Sequence, residues 1–246
     1  MIKGQDNTSE ITVGHIIARD YRKSQALVFR GVDFSCGGNR TLDDVFNGKE
    51  EELHYVLQEW GKLDAHPPEK EVNFVGRDMA FLTDYIIKLH HHFVNSQTTF
   101  ITELAYKVAE SNHERNPEIK AIAELFESTG MRLEIKGRQE EKELFPYLLR
   151  MHEAMSKGIH IKAASFGPVG AIKTEGEQIV AALGQMRQLT NNYTAPAYTT
   201  STCPILYKLL AEYEADTLLH LHLENNILFP RALQTEDYLR ANQQIN

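Results

Sequence analysis

Only two cysteines occur among the 246 residues, Cys36 and Cys203, far apart in the chain. That excludes a disulfide framework and a cysteine-rich zinc site, and it suits a reducing compartment. No apolar run approaches the roughly 20 residues that a membrane span requires. Lysine and arginine total 26 against 34 acidic residues, a net charge of -8. The electrostatic footprint of a nucleic-acid or anionic-membrane binder is therefore lacking, and neither partner is expected. Phosphate loops, dinucleotide fingerprints and nucleophile constellations are absent too. Gly37-Gly38 is too short to cradle a phosphate, so no classical enzyme reaction is assigned. The opening Met1-Ile2-Lys3-Gly4-Gln5-Asp6 lacks the apolar core of a secretory leader, and a cytoplasmic location is expected.

Histidine, by contrast, is plentiful, with 11 residues, several of them clustered. The most informative stretch is His220-Leu221-His222-Leu223-Glu224-Asn225-Asn226-Ile227-Leu228-Phe229-Pro230. Residues four apart share a helix face, so His220 and Glu224 point the same way, in line with Leu228. An imidazole and a carboxylate on an apolar face require pairing or a metal ion. A second stretch, Glu140-Glu141-Lys142-Glu143-Leu144-Phe145-Pro146, repeats the pattern Glu-x-x-x-Leu-Phe-Pro. Two helices that end alike, each with an inward glutamate, read as related halves of one site. The repeat calls for a histidine four residues before Glu140, and that position is Lys136.

Taken in order, residues 12–30 read as one amphipathic helix broken by Gly31. The Gly37-Gly38 turn follows, with Thr41 as the N-cap of a further helix and Asp43 and Asp44 in its first turn. A short helix is predicted over 50–60. Together these make a small helical N-terminal domain, 1–62, whose helices are candidates for a homodimer contact. Cys36, beside a tight turn and ahead of a helix start, is a candidate redox thiol of lowered pKa. Residues 63–77, with Pro67-Pro68, read as a linker. From 78 to 235 the chain reads as four long helices, an antiparallel bundle whose facing helices could hold a metal. The first runs from about Asp78 to Asn112. It carries His90-His91-His92, of which His91 shares a row with Ile87 and Val94, with His90 the alternative. The second follows Pro117 and ends near Phe145, with Gly130 and Gly137 each weakening it by about 1 kcal/mol relative to alanine. A loose connection over 153–166 leads to the third, from Gly167-Pro168 to about Leu189. The fourth spans about 203–229.

Asp33-Phe34-Ser35-Cys36-Gly37-Gly38-Asn39, followed by a bundle ending His-x-His-x-Glu-Asn-Asn-Ile-Leu-Phe-Pro, resembles the repair-of-iron-centres proteins over nearly the whole chain. These are hemerythrin-like di-iron proteins linked to iron–sulfur cluster repair after nitrosative and oxidative stress. The resemblance implies an all-α fold and a centre of four histidines and two bridging glutamates. It carries the ligand positions onto His91, Glu140, His220 and Glu224. The two remaining histidine positions fall on Lys136 and on Gly176, within Glu175-Gly176-Glu177, and the family's cysteine pair has become Ser35-Cys36.

The losses are not scattered. As the resemblance implies, His91 and His220 serve one iron, and the positions now Lys136 and Gly176 serve the other. One metal per chain is therefore expected rather than two, iron first, with manganese or zinc also suited to two imidazoles and two carboxylates. A lysine ammonium between the carboxylates would offset the missing charge. Two unit charges 4 Å apart interact by roughly 4 kcal/mol at an effective dielectric of about 20. Gly176 would leave room for it. The alternative is a Lys136 that snorkels to solvent. The expected function is an iron-binding repair-type protein with iron–sulfur proteins as partners. The alternative is a metal-free bundle serving as an interaction scaffold.

Overall fold

A computed structural model describes residues 11–66, 73–112, 116–158, 167–196 and 202–243. Among them every extended regular element is helical, and the one isolated β-bridge, Thr12 to Thr41, ties two N-terminal segments together.

The predicted helix over 12–30 is broken. Helix α1 (Val13–Arg19) stops at Asp20, whose backbone is extended at φ -146°. The Asp20 carboxylate accepts the Arg22 backbone N–H at 3.2 Å and grips its guanidinium. A short acidic side chain that bonds nearby backbone competes with the helix in this way. A 3-10 turn over Tyr21–Lys23 then leads into α2 (Ser24–Phe29). Gly31, at φ +68°, turns the chain out of α2. Thr41 caps α3 (Leu42–Val45), and Asp44 returns a bond to the Thr41 backbone, a reciprocal capping box worth about 1 kcal/mol. Helix α4 (Glu50–Ala65) outruns the predicted 50–60 and enters the expected linker, while Pro67 and Pro68 lie outside the described residues. Trp60 Nε1 donates to the Lys23 carbonyl at 2.9 Å and holds α4 to the 3-10 turn.

The first long helix joins α5 (Met79–Tyr85) to α6 (His92–Asn112) through a wide π turn, Ile86–His91. The second joins α7 (Glu118–Gln139) to α8 (Phe145–Lys157) through a π turn over Glu140–Leu144. The third is α9 (Gly167–Leu189). The fourth joins α10 (Thr202–Leu223) to α11 (Phe229–Gln243) through a π turn over Glu224–Leu228.

The Leu-Phe-Pro repeats were expected to end their helices, and they do not. Helix α8 continues to Lys157, where Gly158 at φ +63° closes it, and α11 passes the expected domain end at 235. The predicted connection over 153–166 therefore starts later, and its part over 159–166 lies outside the described residues. Pro146 and Pro230 each fall second in a new α segment. There the missing N–H costs little, because the preceding π turn has already shifted the hydrogen-bond register.

One apolar cluster runs from Val13, Ile17, Leu27 and Phe34 into Ile179, Leu206 and Tyr207, so the N-terminal helices share a core with the bundle. A second joins α5, α8 and α11 through Leu82, Leu148, Met151, Leu228 and Phe229. The glycines of α7 serve helix approach. A Cβ at Gly130 would lie 2.4 Å from Thr98 Cγ2, and one at Gly137 would lie 3.4 Å from the His91 ring.

Candidate metal centre

Each of the three π turns carries a candidate ligand. His91 closes the first, Glu140 opens the second, and Glu224 opens the third, one helical turn beyond His220. A π turn adds a residue to the repeat and re-aims the side chains around it. It explains why His90 and His91, adjacent in sequence, are both buried.

His91, Glu140, His220 and Glu224 converge, each offering a ligand atom within 4.8 Å of the others. They are the four positions read from the sequence. His91 rather than His90 joins the group. His90 lies one layer away, with its ring stacked on His220 at 5.5 Å and its Nδ1 2.9 Å from Asp216 Oδ1. His220 Nε2 sits 2.8 Å from Glu224 Oε1, and His91 Nε2 sits 3.3 Å from Glu140 Oε2.

The remaining carboxylate oxygens turn the other way, toward Lys136. Its ammonium donates to Glu140 Oε1 and, at 2.5 Å, to Glu224 Oε2. Lys136 is buried and does not snorkel. Each glutamate thus spans two cation-seeking positions, one filled by an ammonium and one faced by an imidazole. No Lys136 atom lies within 4 Å of a Cβ built at Gly176. A Cβ there would point at Leu221 Cδ2 (3.4 Å) and Cys36 Sγ (3.6 Å), under the N-terminal loop.

The electrostatics follow from burial. Burial pushes His220 down to about 3, leaving a neutral imidazole. Burial alone would depress Lys136, but Glu140 and Glu224 outweigh it and raise it. Of the two carboxyls, Glu140 is pushed up by burial and by the charge of Glu224. Burial acts to raise Glu224 as well, but His220 and Lys136 outweigh it and hold Glu224 low. Burial lowers His91, but Glu140, Glu224 and Glu141 overcome it and its pKa rises.

The donor set fits a divalent transition-metal ion. His91 Nε2 and Glu140 Oε2 are buried and face each other without a hydrogen-bond partner, which is costly unless a cation joins them. Two imidazole nitrogens and two carboxylate oxygens suit iron, manganese or zinc.

Several supporting residues escaped the sequence reading. Glu141 accepts from His91 Nδ1 at 2.7 Å, a contact that orients the ring. Its place directly after Glu140 marks it as solvent-facing on a regular α-helix, and only the π turn brings it round. Asp216 had a usable signal, four residues before His220 on the same face. Asn226 donates to the carbonyls of Phe34 (3.2 Å) and Ser35 (2.8 Å) and so moors the N-terminal loop to the third π turn. Gly38 makes that approach feasible, since a Cβ would lie 2.4 Å from Asn226 Oδ1.

Cys36 departs from expectation. Burial, then the Asp33 carboxylate, pushes its thiol up to about 12. The next helix is capped at Thr41, too far on for its dipole to help, and the Cys36 N–H is bound by Asp33 at 3.1 Å. The thiol itself accepts from Asn225 Nδ2 at 3.4 Å.

A helical bundle with clustered histidines and carboxylates at its centre defines a class of cation-binding protein. Residues 82–232 match the family model of the hemerythrin HHE cation-binding domain, and the chain belongs to that family. It is also 29% identical over 205 residues to the iron-sulfur cluster repair protein YtfE of Musicola paradisiaca, covering 83% of this chain and 88% of that one. The proteins of the same name from a strain of Escherichia coli (30% over 206 residues) and from Yersinia pestis (28% over 205 residues) match with the same coverage. The resemblance to the repair-of-iron-centres proteins is thereby upheld. No described helix is long and apolar enough to cross a membrane.

Proposed function

We propose that the chain binds a single iron through His91, Glu140, His220 and Glu224, with Lys136 standing where a two-metal centre would hold its second ion. The observation that carries this reading is the buried Lys136 ammonium between the two glutamates, each of which keeps its other oxygen toward a histidine. When bound, iron supplies a Lewis-acidic, redox-capable cation. The chain's own residues bind and orient. His91 is steered by Glu141, Glu140 and Glu224 lend one oxygen each, and Lys136 neutralises part of the carboxylate charge. The likeness to proteins named for iron–sulfur cluster repair supports a cytoplasmic role of that kind, with iron–sulfur proteins as partners and nitrosative or oxidative stress as the occasion.

The test is metal content per chain, by elemental analysis of protein produced with added iron and purified without oxygen. About one iron per chain is expected. Two per chain overturns the assignment of Lys136 as an internal cation. None turns the bundle into a metal-free interaction scaffold with inherited ligands.

A further inference from the structure

The cage around the candidate ligands carries an unusual fixed charge. Glu140 and Glu224 contribute two negative charges, and Lys136 permanently cancels one of them from the far side of both carboxylates. His220 and His91 add lone pairs. Glu141, 2.7 Å from His91 Nδ1, and Asp216, 2.9 Å from His90 Nδ1, lie outside the ligand set and form a constant background that a change at residue 136 leaves in place. Counted over Glu140, Glu224 and Lys136 alone, a divalent ion leaves a net charge of +1. A trivalent ion leaves +2, with the added charge placed against a lysine that cannot turn away to water.

We infer that Lys136 is a specificity-determining residue that makes the site select divalent over trivalent ions. This rests on the one-metal reading above and deepens it. A two-metal centre answers added charge with bridging anions between its ions. Here the second metal position is taken by an ammonium, which offers donors only and no lone pair to hold a bridging anion's place. The penalty on a third positive charge is the repulsion of one fixed unit charge across a carboxylate, in a medium with little water to screen it. The site would therefore hold iron as the ferrous ion and hand it on without a valence change.

The experiment is a competition between zinc(II) and gallium(III), a pair that cannot change oxidation state. Both are offered at equal concentration in a metal-buffered solution, and the bound ratio is read by elemental analysis. The parent protein is expected to take zinc and exclude gallium. Lys136→Met should raise the gallium-to-zinc ratio about tenfold or more, the scale a nearby unit charge exerts. Lys136→Arg, which keeps the charge, should restore the parent ratio. If Lys136→Met does not fold, Lys136→Gln removes the charge while retaining a donor. An unchanged ratio in the neutral variants, or a parent protein that fills with gallium beside equimolar zinc, overturns the inference and leaves the one-metal reading intact. A parent that binds neither ion overturns that reading and the inference together.

Discussion

Lys136 Nζ and Glu224 Oε2 lie 2.5 Å apart although 88 positions separate them in the chain, and at most 2% of either side chain is exposed. The pair clamps the second long helix to the fourth at the height of the metal site. Without water to take over, removal of either partner strands a charge. In the metal-free protein, Lys136→Met is expected to lower unfolding stability by roughly 3–5 kcal/mol, the range for breaking a buried ion pair. Adding Glu224→Gln should cost less than the sum of the two single losses. Denaturant unfolding of the four proteins checks this. A loss under about 0.5 kcal/mol, as for a surface lysine, would mean that the pair adds nothing.

Restoring histidine at both altered positions should rebuild a second metal position. A Cβ at residue 176 meets Leu221 and Cys36 only at ordinary contact distances of 3.4 and 3.6 Å, so the backbone accepts a side chain there. Lys136→His with Gly176→His, reconstituted with excess iron, is expected to bind about one more metal per chain than the parent. An unchanged count would show that the mapping of the lost ligands is wrong.

The approach of α6 to α7 depends on Gly130. Gly130→Ala would gain about 1 kcal/mol of helix propensity, but its Cβ would meet Thr98 Cγ2 at 2.4 Å. A net loss of about 1–3 kcal/mol is expected from overpacking. Thr98→Ser removes the clashing methyl and keeps the hydroxyl that bonds the Val94 carbonyl (2.7 Å) and Tyr213 (2.9 Å). Thermal melts should therefore place the Thr98→Ser/Gly130→Ala protein above Gly130→Ala alone.

Cys36 gives a pH prediction. Its folded pKa, about 12, exceeds the ordinary thiol value of 9.0, so the folded chain holds this proton more tightly than the unfolded one. The associated stability is fully present below about pH 9 and is lost as pH rises toward 12. At pH 8, iodoacetamide should label native Cys36 about a hundredfold or more slowly than a free thiol, because so little thiolate is present. Labelling at the rate of a small-molecule thiol would show that the thiol is not held in this environment.

The moorings of the N-terminal loop are concentrated in one side chain. Asn226→Ala removes the bonds to the Phe34 and Ser35 carbonyls and should cost about 2–3 kcal/mol, since those acceptors lose their partner in a part-buried setting. Hydrogen exchange should quicken over residues 33–38 while the centre of α7 stays protected. A uniform change over both regions would show that the loop is held by other contacts.

Much of this molecule could be read from residue order alone. The His220–Glu224 spacing places two ligands on one helix face. The repeated Glu-x-x-x-Leu-Phe-Pro announces two equivalent glutamates, and Lys136 stands out because it breaks the repeat. These are local regularities, and helical periodicity carries them without reference to the rest of the chain. Where periodicity itself changes, residue order misleads. The π turns carried both helices past their prolines, allowed His90 and His91 to be buried together, and brought Glu141 onto His91. The direction of Lys136 was likewise undecided by sequence, because a long flexible side chain can reach water or, where carboxylates await it, the core. The burial of both glutamates in the bundle interior decided it. Glu140 and Glu224, pressed together in a dry interior, need a cation between them, and Lys136 is placed to supply one.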